Sequence, residues 1–347
     1  MSWFQPKSAL FWTYCLIAFL GLAALILQLA PVAALTWRDI LAGLPFTLAT
    51  LLVFGWLVMH LDRLRARKRI RTPLLMGFLW GALAGPGIAM FANDHNMRII
   101  QNLAGDAFAI DWQAPISAAI VEEAVKGVGV FAVAWLARPM VNRPMHGLLL
   151  GGCTGLGFQV VENITYSANA GLLSAQDNPA TAIVVGIVRL LTGITSHWML
   201  TALAGIGIVL AVARSDWSAG RRAQVFVLFY LLGAALHFGW DAPSPANIPI
   251  GSIVARTVLY LLIFAVVYTW VVHTERQWFR AVVSWAVTRG IAPAGELSTL
   301  ISQRSRRRAR QADRMSGQHN RRQQIQRQRV LLDWVQDTGA LTLAPTQ

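Results

Sequence analysis

Charged residues are scarce in this sequence. They make up 13% of its 347 residues, whereas a soluble domain usually carries about twice that fraction. The hydrophobic share is 55%, and the apolar residues come in runs of roughly 20, the length at which a helix crosses a bilayer. The shortage of charge excludes an ordinary soluble domain. The long runs predict an all-α polytopic membrane protein.

Cysteine is also nearly absent. Cys15 and Cys153 both fall in apolar runs, so they are predicted to be small core residues and no disulfide framework is expected. The first apolar run follows Lys7 and is too long for the core of a signal peptide, which predicts an uncleaved first span. The alternative is cleavage at the PVAA stretch, residues 31–34.

The apolar runs predict about eight transmembrane helices. They cover residues 9–30, 44–61, 74–92, 113–137, 146–166, 190–213, 223–241 and 252–273. The run before the sixth span contains Arg189, so residues 181–189 are expected to form a re-entrant or interfacial piece. The alternative is one long tilted helix.

The loops between these spans alternate in charge. Three are net basic, and the strongest of them, DRLRARKRIR, covers residues 62–71. The intervening loops are acidic or neutral. Because Lys and Arg concentrate in loops on the cytoplasmic side, this alternation predicts that the N-terminus and the C-terminus are both cytoplasmic.

Residues 274–347 are predicted to form a basic tail, separate from a transmembrane domain over residues 1–273. The tail contains thirteen arginines, no lysine and five acidic residues. Trp278, Val282 and Trp285 fall near one helical face, which predicts an interfacial helix beside anionic lipid. The arginine run is also compatible with RNA binding. A solvated tail that obeys the positive-inside rule is the simpler interpretation, and no specific nucleic acid is expected.

Glutamate is rarer still, and its placement is the most informative feature of the sequence. Only five glutamates are present: Glu275 and Glu296 in the tail, and Glu122, Glu123 and Glu162 within predicted spans. A charged side chain in the middle of a span costs about 2.5–3.5 kcal/mol on insertion scales. Acids at these positions therefore indicate a functional site.

The EEAVK stretch combines two of these acids with a lysine. Lys126 follows Glu122 by four residues and Glu123 by three, so it can reach either acid on a helix. Two adjacent carboxylates in a low dielectric do not both ionise easily, and one is expected to be ionised beside Lys126 while the other is protonated. That arrangement suits proton transfer to and from water. Taken alone, the stretch is equally compatible with a structural ion pair.

Three further pairs repeat the four-residue spacing on later spans: Phe158 with Glu162, His197 with Thr201, and His237 with Asp241. A lone histidine or aromatic residue on an apolar helix is usually a core residue. Here, however, the predicted topology places the acids and histidines of four helices within about 12 Å of the outer ends of their spans. A shared depth predicts one site for water activation, metal binding or proton transfer. The small residues at 151–157, GGCTGLG, are expected to allow close helix approach.

The sequence resembles PrsW-type intramembrane proteases, which carry the motif series E-E-x-x-K, F-x-x-x-E and H-x-x-x-D. The matching stretches occur here in the order EEAVK, FQVVE, the span histidine and HFGWD. That family is grouped with the CAAX prenyl-endopeptidases and bacteriocin-immunity proteins. The resemblance covers about residues 70–275. It implies hydrolysis of membrane-anchored protein substrates, such as anti-sigma factors, in the inner membrane of a bacterium.

The resemblance also implies roles for seven residues. Glu122 and Glu123 are the catalytic pair, Lys126 is their counter-ion, Asp241 orients His237, and a water or metal site is completed by Glu162, His197 and His237. Two histidines and one glutamate are a known zinc ligand set, so a divalent metal such as zinc is the candidate cofactor. A metal-free glutamate mechanism is the alternative.

Other functions are compatible with the same sequence. The ionisable residues could relay protons in a transporter, although the internal repeats typical of transporters are not evident. They could also belong to a non-catalytic membrane scaffold, or the basic tail could be the working part, as a tethered lipid or RNA binder.

Overall fold

The computed structural model describes residues 5–173, 179–291, 294–315 and 321–342, and over these ranges the protein is helical, without a β-strand. The α-helices are α1 (Ala9–Leu61), α2 (Arg71–Leu79), α3 (Gly85–Ala104), α4 (Asp106–Ser117), α5 (Glu123–Leu136), α6 (Pro144–Leu173), α7 (Ala180–Thr192), α8 (His197–Ala213), α9 (Ala219–Asp241), α10 (Pro249–Thr288), α11 (Ala294–Ser298), α12 (Gln303–Met315) and α13 (Arg321–Thr342). Two π-helical turns join α2 to α3 and α4 to α5, at Trp80–Ala84 and Ala118–Glu122.

Within the described ranges, five helical stretches are long and apolar enough to cross a membrane. They are Ala9–Leu61, Ala66–Ala104, Ala180–Ala213, Ala219–Asp241 and Pro249–Thr288. The predicted class, an all-α membrane protein, is confirmed. The predicted spans at 113–137 and 146–166 correspond to the α4–α5 segment and to α6, and α6 is the central helix because most of its residues are buried.

The first helix changes direction along its length. α1 departs from helical geometry at Thr36, where φ is −118° and ψ is 26°. Before this residue α1 packs on the first π-turn and α3, with Gly21 beside Ala84 and Leu25 beside Gly87. After it, α1 packs along α6, from Gly43 beside Ser167 to Val58 beside Gly152. The second part of α1 therefore runs antiparallel to α6.

Glycines bring α6 and α8 into backbone contact. A Cβ added at Gly151 would lie 2.1 Å from the carbonyl oxygen of Thr201, and one added at Gly155 would lie 2.1 Å from that of His197. Small residues permit this approach in membranes, where helices associate through van der Waals packing. The contact holds the backbone of His197 against the helix that carries Glu162.

The chain leaves helical geometry between α7 and α8. A 3₁₀ turn at Gly193–Thr195 and an extended Ser196 separate the two helices. The side chains of Gln159 and Trp198 donate hydrogen bonds to the Gly193 carbonyl at 3.2 and 3.1 Å. This carbonyl therefore has hydrogen-bond partners although the helix is interrupted there. These side chains stabilise a break immediately before His197, so α8 begins seven residues after the predicted start of the sixth span at residue 190.

The predicted interfacial helix is the end of a longer helix. α10 continues without interruption from Pro249 to Thr288. Val282 is buried, and Trp278 and Val282 pack against Gly339 of α13. Two of the three residues of the predicted interfacial face therefore contact the chain's own last helix.

The last helix also docks on the basic loop between α1 and α2. Arg65 donates to Asp333 at 2.5 Å, and Lys68 donates to Asp337 at 2.7 Å. Val335 of α13 is buried in a small apolar cluster with residues of α10 and this loop. Asp333, Asp337 and the apolar cluster thus pack the last helix on the rest of the protein.

A buried arginine joins α12 to the same region. Arg306 donates hydrogen bonds to the carbonyls of Leu300 and Arg63 at 2.9 and 3.1 Å. Burial lowers the pKa of Arg306 to about 10. The two carbonyl contacts hold this guanidinium beside the end of α1, so one arginine of the basic tail has a structural position.

Replacing Gly151 with Leu is expected to force α6 and α8 apart, because the added side chain meets the α8 backbone. Overpacking of this kind costs about 1–3 kcal/mol, and sometimes more. The variant should unfold at a lower temperature than the wild type in detergent. Gly220→Leu is the control, since a Cβ at Gly220 meets no atom within 4 Å. Equal unfolding temperatures for Gly151→Leu and the wild type would contradict the close contact.

Candidate metal centre and active site

Glu122 and Glu123 lie where the helical geometry changes. Glu122 ends the π-turn Ala118–Glu122, and Glu123 begins α5. Such turns insert an extra residue into a helix and are frequent at functional sites. Both acids are buried, at 7% and 0% exposure. They differ in direction, because Glu122 lines a cavity of about 300 Å³ and Glu123 does not.

Lys126 pairs with the acid that is turned away from the cavity. Its Nζ lies 2.8 Å from Glu123 Oε1 and 3.7 Å from Glu122 Oε2. The ammonium also lies 4.5 Å from the centre of the Phe158 ring, a cation–π distance. Lys126 and Glu123 therefore form a fully buried ion pair, while the Glu122 carboxylate is left further from the lysine.

His237 lies between the two adjacent acids. Its Nδ1 is 2.9 Å from Glu123 Oε1, and its Nε2 is 3.8 Å from Glu122 Oε2. Asp241, one turn later on α9, has Oδ2 3.4 Å from the same Nε2. A carboxylate this close to Nδ1 favours the tautomer with the proton on Nδ1. The unprotonated Nε2 then lies near both Asp241 and Glu122.

His197 is arranged in the same way, with its nitrogens exchanged. Nε2 donates a hydrogen bond to Glu162 Oε2 at 2.7 Å, which favours a proton on Nε2. Nδ1 is 3.9 Å from Glu122 Oε2 and accepts a hydrogen bond from Lys126 Nζ at 2.9 Å. Because His197 is the first residue of α8, the break before it sets the direction of this ring.

Glu162 is also held by Arg189 of α7, which contacts the same oxygen as His197. The guanidinium donates to Glu162 Oε2 through Nη2 and to Asn163 Oδ1 through Nε, the latter at 2.8 Å. It also stacks 4.2 Å from the centre of the Tyr166 ring. Arg189 thus balances the charge of Glu162 and fixes its direction toward His197.

The three side chains at the centre of this cluster could hold a metal ion. Glu122, His197 and His237 offer ligand atoms that all lie within 4.8 Å of one another. Glu122 Oε2 is buried and has no hydrogen-bond partner among the described residues. Tetrahedral zinc ligands, each about 2.1 Å from the ion, are about 3.4 Å apart. The distances of 3.8 and 3.9 Å from Glu122 Oε2 to the histidine nitrogens are close to this value, so the residues fit a zinc-sized cation.

One contact competes with such an ion. Lys126 donates to His197 Nδ1, the nitrogen that faces Glu122. Lys126 also has Glu123 as a partner at 2.8 Å, so it retains a counter-ion when a cation takes the histidine nitrogen. The lysine and a metal ion therefore share access to one atom of the site.

The structure brings the seven predicted site residues into one cluster, but in a different grouping from the predicted one. Glu122, rather than Glu162, is grouped with the two histidines. Glu162 is occupied by Arg189 and by the far side of the His197 ring. Thr201, which the spacing also singles out, does not line the cavity.

Asn93 and Ser117 belong to the site although the sequence does not indicate them. Asn93 Nδ2 donates to Glu122 Oε1 at 3.1 Å, and Ser117 Oγ donates to Asn93 Oδ1 at 2.7 Å. The predicted third span ends at residue 92, which assigns Asn93 to a loop. In the structure α3 continues to Ala104 and carries Asn93 over the cavity. The signal in the sequence that could have indicated Asn93 is its amide side chain, directly after the apolar run of the predicted third span.

Comparison with known proteins places the cluster in a family. The family model described as PrsW family intramembrane metalloprotease matches residues 70–271. The match covers more than half of the chain and includes every residue of the cluster. No curated protein and no solved structure matches the chain.

Lys126→Met is expected to destabilise the protein by about 3–5 kcal/mol, because it leaves Glu123 buried without a counter-ion. The double variant Lys126→Met with Glu123→Gln should regain part of this loss, since the amide carries no charge. Thermal unfolding of both variants in detergent measures the difference. A single variant as stable as the wild type, or a double variant no more stable than the single one, would contradict the buried ion pair.

Proposed function

The chain belongs to the PrsW family of intramembrane metalloproteases, and from this premise we propose that it cuts membrane-anchored proteins at a metal centre formed by Glu122, His197 and His237. The observation that carries the proposal is the common arrangement of the two histidines. Each ring has one nitrogen within 2.9 Å of a carboxylate oxygen, and its other nitrogen lies within 3.9 Å of Glu122 Oε2. Carboxylates that contact the far nitrogen of a histidine are typical of metal ligands.

Glu123 and Glu162 act on the histidines rather than on the metal in this proposal. Glu123 orients His237 and Glu162 orients His197, as their distances of 2.9 and 2.7 Å support. Glu162, which the sequence suggests as a ligand, is thereby assigned to positioning. Lys126 balances the charge of Glu123 in this arrangement.

A bound metal would activate a water molecule and polarise the scissile carbonyl. The protein must also move a proton from that water to the leaving amine. Asp241 is suited to this step because its side chain is 34% exposed, lines the cavity and contacts no lysine or arginine among the described residues. As a general base it takes the proton of the water, and as a general acid it returns the proton to the amine.

A metal-free glutamate mechanism is the second candidate, and one observation favours it. Lys126 already occupies His197 Nδ1, as expected of a site that needs no metal there. In that mechanism Glu122 itself accepts the proton of the water, since its Oε2 has no hydrogen-bond partner within the described part of the chain and the residue lines the cavity. The metal content of the pure protein separates the two mechanisms.

The proposed topology has eight spans, with the N-terminus and C-terminus in the cytoplasm. The antiparallel course of the second part of α1 along α6 supports two spans within α1. The tail contacts two of the basic loops, through Asp333 with Arg65 and through Gln336 with Arg143. These contacts support a topology with the tail and both loops on one side of the membrane, which is the cytoplasmic side by the positive-inside rule.

The proposed substrate is a protein with a membrane anchor, and a regulator such as an anti-sigma factor is the kind that the family resemblance suggests. The proposed location is the inner membrane of a bacterium. Exposed arginines on α12, including Arg304, Arg307 and Arg308, would contact anionic lipid at the cytoplasmic surface. We propose that residues 1–273 form the membrane domain and residues 274–347 the tail. The helix α10 crosses the boundary between them.

The proposed roles of Glu122 and Asp241 predict different losses of metal binding and cleavage. Glu122→Gln should lose both bound metal and cleavage of a reconstituted single-span substrate. Asp241→Asn should retain metal but cut at least about 100-fold more slowly, a typical loss for a missing acid–base group. Asp94→Asn, an exposed acid on α3, is the matched control and should behave as the wild type. Wild-type cleavage by Glu122→Gln would refute the proposed site.

A further inference from the structure

We propose that Asn93, held by Ser117, is the residue that positions the Glu122 carboxylate, an inference that rests on the proposed function. Asn93 fixes Oε1, so that Oε2 is turned toward His197 and His237. Neither residue belongs to the motifs of the sequence, and neither is placed to contact the reacting atoms in this assignment. Both act through Glu122.

A directed chain of hydrogen bonds carries this inference. The Ser117 hydroxyl donates to Asn93 Oδ1 at 2.7 Å, and Asn93 Nδ2 donates to Glu122 Oε1 at 3.1 Å. The serine determines which way the amide faces, because a hydroxyl that donates must meet the oxygen of the amide. The NH₂ group is then left to face the carboxylate.

The π-turn makes the chain possible. Ser117 immediately precedes the turn and Glu122 ends it, five residues later. In a regular α-helix, residues five apart are about 140° apart around the axis, so one asparagine could not readily reach both. A π-turn closes hydrogen bonds between residues five apart and brings them onto one side of the helix. The extra residue thus lets Asn93 of α3 bridge Ser117 and Glu122.

The chemistry of the position favours an amide over an acid. An aspartate at residue 93 would set a second negative charge against Glu122 in a buried site, and it could not donate a hydrogen bond when ionised. An asparagine donates to the carboxylate and accepts from the serine at once. With Oε1 held in this way, the buried Oε2 has no hydrogen-bond partner among the described residues, as a metal ligand requires.

Zinc affinity tests the inference independently of catalysis. Full-length Asn93→Ala, Asn93→Asp and Ser117→Ala variants in detergent are titrated with Zn²⁺ against a competing chelator. Loss of such a contact typically costs 10–100-fold in metal affinity, and we expect this loss for both Asn93 variants and a smaller one for Ser117→Ala. Asn96→Ala is the matched control, since Asn96 lies three residues along the same helix and does not line the cavity.

Cleavage assays supply the second readout. At limiting zinc, Asn93→Ala should show a lower kcat with an unchanged KM, and excess Zn²⁺ should restore much of the activity. Wild-type zinc affinity in both Asn93 variants would overturn the inference while the proposed function stands. A loss of activity that zinc does not restore, in a protein with a lowered unfolding temperature, would also overturn it, because it would show a purely structural role. Failure of the wild type to bind zinc or to cut would instead overturn the proposed function itself.

Discussion

The buried ion pair of Lys126 with Glu123 is the interaction on which the rest of the site depends. Both side chains are inaccessible to solvent, and an unpaired charge in that setting is strongly destabilising. Neutralised by the lysine, Glu123 can stay ionised beside His237. Arg189 has the same role for Glu162, which contacts His197. Two cations therefore allow two carboxylates to orient two histidines within the membrane, and the third carboxylate, Glu122, is left between the rings.

Departures from regular helical geometry place these groups. The break before His197 directs its ring to Glu162, and the π-turn before Glu123 turns Glu122 to the cavity while Glu123 meets Lys126. The glycine contacts of α6 with α8 bring the backbones close enough for the short distances between side chains. Each irregularity is compensated locally, as by the side chains that satisfy the Gly193 carbonyl. The site is built from these irregularities on an otherwise helical scaffold.

Much of the fold and of the site could be predicted from the sequence, because a charged residue inside an apolar run is costly and therefore indicates a functional position. The class of the fold, the family and the seven clustered residues follow from that reasoning and from the order of the motifs. The grouping within the cluster does not follow, since spacing gives the face of a helix but not its rotation toward its neighbours. The family resemblance implies Glu162 as the ligand beside the two histidines, whereas in the structure Glu122 is grouped with them and Glu162 contacts Arg189.

Other features depend on contacts between distant segments. Asn93 is assigned to a loop from the sequence because the polar residues that follow it do not indicate that α3 continues. The π-turn that brings Ser117 and Glu122 within reach of Asn93 has no sequence signal either. The docking of α13 could not be predicted for a similar reason, since its polar contacts come from two aspartates and a glutamine within a strongly basic tail.

X-ray absorption at the zinc edge of the purified wild-type protein tests the central claim most directly. The account predicts a bound ion with nitrogen and oxygen ligands only and with the scattering of two imidazole rings, which is lost in Glu122→Gln. A protein that cuts its substrate without bound metal, or a metal site without imidazole ligands, would contradict it.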